Sequence, residues 1–183
     1  MSHSKFAVLA FALVGTLSLT ALGAPAAHAV SADAAGQANS AASLSADADG
    51  FIINADGVLV GYTGGASEVR IPESVTKIGT SAFANAHLTK VWIPASVREI
   101  DDYAFAHQPL VEITFQDDDA HPSQLTYIGE RAFIDTPLEH ITLPRALEMV
   151  GTETFAEMEK LRSIHVGPSM QEGALLYAFA RSP

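Results

Sequence analysis

The chain has no cysteine. That absence excludes disulfide staples, thiolate metal sites and a thiol nucleophile, so the fold must be held by packing alone. Cations are scarce too: ten Lys and Arg stand against 21 Asp and Glu, a formal net charge of −11. Nucleic acid and anionic lipid both require clustered cations, and neither is expected as a partner. Tryptophan occurs once, at Trp92. No H-E-x-x-H, no G-x-S-x-G and no phosphate-binding glycine loop is present, so no enzyme chemistry and no cofactor is implied. Long apolar runs are limited to one, Phe6 to Leu22, shorter than the roughly 20 residues a membrane span needs.

That run belongs to a leader. Lys5 supplies the positive start and Ala27-His28-Ala29 the small-residue cut site, so residues 1–29 read as a secretory signal, with no membrane insertion expected once it is removed. Only Lys5 of the ten cations lies there, and none of the 21 acids does, which leaves nine cations against 21 acids in the mature chain. Residues 30–49 are mostly Ala, Ser and Asp, with one Leu. Such a segment buries too little to offset its ordering entropy and reads as a flexible linker.

From Phe51 the composition changes. Phe51–Ile53 and Val58–Tyr62 are β-rich runs around Asp56-Gly57, a hairpin signal, and residues 51–68 are expected to form an N-terminal cap. Ser45-x-Asp47-x-Asp49-Gly50 partly fits a calcium loop. Ser at its first position, Asp56 at its twelfth and non-helical flanks argue against one.

Residues 69–183 repeat. Val91 to Glu112 lies over Val69 to Lys90 at an offset of 22, with Ile71-Pro72 on Ile93-Pro94, Val75 on Val97, Ile78 on Ile100, Ala82-Phe83 on Ala104-Phe105 and Leu88 on Leu110. Phenylalanines mark about five repeats at 83, 105, 133, 155 and 179, the last repeat irregular. A fixed period in the twenties with this apolar spacing predicts a leucine-rich repeat solenoid of α/β type: a short parallel β-sheet on one face, turns and short helical pieces elsewhere. Pro94 after its strand ends the ladder, since it lacks an N–H. Gly79, Gly129 and Gly151 are expected to supply left-handed turns, with Asp101 tolerating the same conformation in the second repeat. Gln116 to His121 is an insert after which the pattern resumes in phase, hence a surface bulge. Its Asp117–Asp119 run offers oxygens of the kind calcium takes, but reads first as a solvated acidic loop.

Ile71-Pro72-x-Ser74-Val75-Thr76-x-Ile78-Gly79-x-x-Ala82-Phe83 resembles, nearly position by position, the BspA-like class of bacterial leucine-rich repeats. Gly57-Val58-Leu59-x-Gly61-Tyr62 is similar to the entry hairpin that often opens such arrays. The resemblance covers about residues 51 to 166. Where that class often has Cys, three residues after each Phe, this chain has Ala86, Gln108, Thr136 and Met158. The resemblance implies secreted or surface-displayed bacterial proteins, often adhesins that bind host matrix proteins or mediate cell contact. A structural spacer, or a truncated copy of a larger surface protein with no ligand of its own, is the alternative the sequence leaves open, and oligomeric state is open as well.

Strand alternation selects the candidate ligand-binding residues. Arg70, Trp92, Thr114, Thr142 and His165 face away from the core, and two positions earlier stand Glu68, Lys90, Glu112, His140 and Ser163. Stacking is expected to bring these into two ladders on one face, with Trp92 at the centre of a protein-binding patch bordered by Arg70 and Lys90.

Overall fold

The structure is a computed structural model, and it describes residues 44–182. The expected signal and all but the end of the expected linker lie outside those residues. Eleven short strands and no helix form among the described residues. The helical pieces of an α/β-type repeat are therefore absent, and the architecture is a β-solenoid of leucine-rich repeat coils joined by turns.

On one wall, β3 (Glu68–Arg70), β5 (Lys90–Ile93) and β7 (Glu112–Phe115) form a three-stranded parallel sheet, and β9 (His140–Thr142) and β11 (Ser163–His165) form a separate parallel pair. The single expected sheet is thus split in two. The split falls where the chain leaves β7 into the insert. On the opposite wall a six-stranded sheet runs β1 (Phe51–Ile53), β2 (Val58–Tyr62), β4 (Lys77–Ile78), β6 (Glu99–Ile100), β8 (Tyr127–Ile128) and β10 (Met149–Val150). β1 and β2 pair antiparallel as a hairpin around Gly57 at φ +77, and the other pairs are parallel. β8 continues from β6 in register despite the insert, which places the bulge on the first wall only.

The core between the walls is built by the repeat. Val75, Val97, Leu125 and Leu147 occupy one inward row, and Ile78, Ile100, Ile128 and Val150 the next. Phe83, Phe105, Phe133 and Phe155 are fully buried and stack at 4.8, 5.2 and 5.9 Å between ring centroids, with interplanar angles of 16, 4 and 10°. Phe179 extends the stack at one end, and at the other Tyr62 and Phe51 continue it in tilted contacts. Positions three after each Phe point inward as well. Met158 and Thr136 are buried, and the Gln108 Oε1 accepts the Leu88 N–H at 3.1 Å.

Helix fails at the phenylalanine corner for a specific reason. Ser81, Tyr103, Arg131 and Glu153, two residues before each Phe, and Asn85, His107, Asp135 and Glu157, two after it, have φ between +52 and +67. Left-handed conformation costs a non-glycine residue about 1–2 kcal/mol. Here it accompanies N–H groups aimed at the adjoining coil rather than along the chain. Tyr103 donates to the Glu130 carbonyl at 3.0 Å, Phe105 to Ala132 at 2.9 Å and His107 to Ile134 at 2.9 Å, and Arg131, Phe133 and Asp135 repeat the pattern one coil on. Donors committed between coils cannot close helical i→i−4 bonds.

The turn glycines work differently from expectation. Gly79, Gly129 and Gly151 do not have positive φ. A Cβ at Gly129 would stand 2.6 Å from the Asp102 backbone nitrogen, and one at Gly151 2.5 Å from that of Glu130. They are glycines because successive coils touch there. Asp101 at the equivalent place is not left-handed either.

Candidate functional site

The three-stranded wall sets its residues in strict register. Glu68, Lys90 and Glu112 are paired across the strands, as are Arg70, Trp92 and Thr114. In the first row the Lys90 ammonium lies 3.8 Å from Glu68 and 3.5 Å from Glu112. Two carboxylates share it, so Lys90 does not present a free positive charge. In the second row the Arg70 guanidinium carbon sits 4.5 Å from the Trp92 ring centroid, a cation–π pair. Trp92 is half-buried, and among the described residues no carboxylate forms an ion pair with Arg70. Two expected neighbours thus meet in direct contact, while the third is neutralised.

Beside Trp92 an open groove of about 830 Å³ crosses the strand ends, where Pro72 and Pro94 turn the chain and Phe115 follows Thr114. In the third repeat Gln116 takes the place of that proline. Its N–H, which proline lacks, donates to Ile93 at 2.9 Å and carries the pairing one residue further before the insert departs. Phe115 is the residue the sequence reading missed. It is in register with Ile93 and should be as buried, yet it is half-buried where Ile71, Ile93 and Leu143 are covered. An aromatic at a strand's inward position directly before an insert was the available signal.

The insert forms a wall of the groove and is tied to the next repeat. Asp117 accepts the backbone N–H groups of Arg145 at 2.7 Å and Ser123 at 3.2 Å, and the Arg145 Nε at 3.3 Å. Asp119 takes the Arg145 Nη1 at 3.2 Å. Burial alone would raise the Asp117 pKa, but these donors outweigh it and hold the carboxyl below its ordinary range. The Arg145 guanidinium is raised in turn by Asp119 and Asp117. Asp118 caps its own turn, accepting the N–H groups of His121 at 2.8 Å and Ala120 at 2.9 Å, and those bonds lower its pKa. The acidic run is therefore engaged in hydrogen bonds and ion pairs rather than arranged around a cation, and among the described residues no group of three or more His, Asp or Glu is placed to hold a metal. Asp47 is likewise committed: its Oδ1 accepts the N–H groups of Asp49 and Phe51 at the entry to β1.

The other expected residues stand across the split. His140 pairs in register with Ser163, its Nδ1 2.7 Å from the Ser163 hydroxyl, and Thr142 pairs with His165. A second groove, of about 440 Å³, holds His140 and Thr142 with Arg145 and shares Thr114, Phe115 and Asp117 with the first. Those three join the two grooves. His165 and Lys90 line neither.

A family model described as the BspA type leucine rich repeat region matches residues 62–182 in six copies. The chain is also similar to two solved bacterial structures. With the pneumococcal vaccine antigen PcpA it shares 24% identity at a TM-score of 0.50, over 66% of this chain and 36% of that one. With a leucine-rich repeat protein from Bacteroides capillosus it shares 26% identity at a TM-score of 0.50, over 63% of this chain and 91% of that one. The chain thus spans about a third of the length of the pneumococcal protein. No curated protein matches it.

Proposed function

The chain belongs to the BspA-type leucine-rich repeat family, and from that premise we propose that it is a secreted or cell-surface binding module that recognises a protein partner through the wall centred on Trp92. The observation that carries the reading is the chain's single tryptophan, half-buried on an open strand face and stacked with an Arg that has no carboxylate partner among the described residues. Trp and Arg dominate the energetics of protein interfaces, and a preformed pair carries little ordering cost on binding. Thr114, Phe115, His140 and Thr142 extend the surface along the joined grooves. His165 and Lys90 serve it indirectly, as strand-row neighbours.

Residues 1–29 direct export and residues 30–49 link to the folded part in this reading. The β1–β2 hairpin covers the first coil: β2 pairs with β4, and Tyr62 packs against Phe83, so the first repeat's apolar end meets rings instead of water. Immobilised matrix and cell-surface proteins are the class of partner to test. Retention of the chain by one of them, with Trp92→Ala lowering affinity at least tenfold while melting is unchanged, supports the assignment. Retention indifferent to Trp92→Ala removes this wall from consideration.

A further inference from the structure

The groove beside Trp92 is apolar at its floor and negative at its rim. Pro72, Pro94 and Phe115 line it together with Trp92, and its charged residues are four acids against one cation, Arg70. Asp117 is matched by Arg145, but among the described residues Glu73 and Asp49 form no ion pair, and Asp118 has only His121. Three carboxylates therefore project negative potential over an aromatic and proline surface. The lone cation lies against the Trp92 ring from β3. On the β7 side the register partner of Trp92 is Thr114, a short side chain, and both line the groove.

We propose that this groove takes an extended, cationic segment of the protein partner, with a Lys or Arg side chain seated on the Thr114 side of the Trp92 ring under the carboxylates of Asp118 and Glu73. The proposal rests on the reading of the Trp92 wall as the binding face. A cation there completes a stack of guanidinium, indole and ligand cation, with the charge facing carboxylates instead of a second positive group. An anionic segment would have to approach those same carboxylates. Three strands at about 4.8 Å spacing present a width of roughly three extended residues, so the footprint is a short linear segment.

Trp92 is its own reporter. The probe is the decapeptide (Lys-Pro)5, compared with (Ser-Pro)5 and (Glu-Pro)5; proline keeps all three extended, so that only charge varies. The expected result is a saturable change in Trp92 emission with (Lys-Pro)5, weakened several-fold between about 20 and 200 mM salt, and absent with (Glu-Pro)5. Glu73→Gln with Asp118→Asn should weaken (Lys-Pro)5 by about fivefold, as two lost rim charges allow. Glu148→Gln with Glu172→Gln, an equal charge change away from the groove, should not. Equal effects from both pairs reduce the binding to general attraction by an acidic protein and overturn the proposal. So does a lack of binding, or (Ser-Pro)5 binding as tightly. Emission that shifts with protein concentration alone, together with a dimer in sedimentation, assigns the groove to a second copy and overturns it too. Partner capture that is lost with Trp92→Ala but kept with Glu73→Gln and Asp118→Asn leaves the binding face standing and removes only the cationic occupant.

Discussion

At the scale of single residues, stability rests on rings that touch their equivalents in neighbouring coils. Phe105 lies fully buried between Phe83 and Phe133. Phe105→Ala is expected to cost about 3–5 kcal/mol, read from urea unfolding. Phe179→Ala should cost distinctly less, because Phe179 stacks on one side only and is half-buried. If the two variants lose the same amount, neighbour stacking is not what holds the coils. A second residue-scale expectation concerns the left-handed corners. Ser81 is exposed at φ +53. Ser81→Gly should be close to neutral, relief of strain offsetting added unfolded-chain entropy, whereas Ser81→Val should lose about 1–2 kcal/mol. Thermal midpoints of the pair against the parent chain decide it.

At the scale of elements, the insert after β7 shows how a few extra residues alter one wall and spare the other. β8 stays in register with β6, while β7 and β9 fall into separate sheets. What anchors the insert is Asp117, whose side chain is only 13% exposed and faces Arg145 and Ser123. Asp117→Asn should destabilise by about 1.5–3 kcal/mol at neutral pH, the usual worth of hydrogen bonds to a charged group. The pH dependence has a definite sign. The folded-state pKa lies below the ordinary value of 3.8, so the contribution is fully present above that value. It is lost as pH falls through the folded pKa. Urea midpoints at pH 7 and pH 3 should show the gap between the parent chain and Asp117→Asn narrowing on acidification. A gap that widens would mean that Asp117 is not held ionised by Arg145.

At the largest scale, the described residues form a stack in which each coil contacts its neighbours alone, so protection should be graded along it. Amides of the central coils, those donating at Tyr103, Phe105 and Arg131, should exchange slowest with solvent. The last coil should exchange fastest. Val166, Leu176 and Tyr177 there are 46, 71 and 70% exposed, and β11 has a strand on one side only among the described residues. Mass-resolved hydrogen exchange reads this directly. A flat profile from Glu68 to Ser182 would indicate a single cooperative unit rather than a chain of neighbour contacts.

The repeat, its inward rows, the phenylalanine stack and the in-phase insert were all legible in the sequence, because each is a matter of period: a residue 22 places on meets its counterpart in space. Trp92 beside Arg70 was legible for the same reason, being fixed by strand alternation. Contacts between coils were not. The six-stranded wall is made largely of two-residue strands too short to leave an alternation, and the corner donates its N–H groups sideways, so the expected helices never close. Gly129 and Gly151 mark close backbone approach, a property of two coils together, where one coil read alone suggested a turn. Likewise the pairing of Lys90 with Glu68 and Glu112, the capture of Asp117 by Arg145 and the half-exposure of Phe115 depend on which coil lies alongside which. Spacing along the chain determined the solenoid; its stacking in three dimensions decided which charges stay free and where the groove beside Trp92 opens.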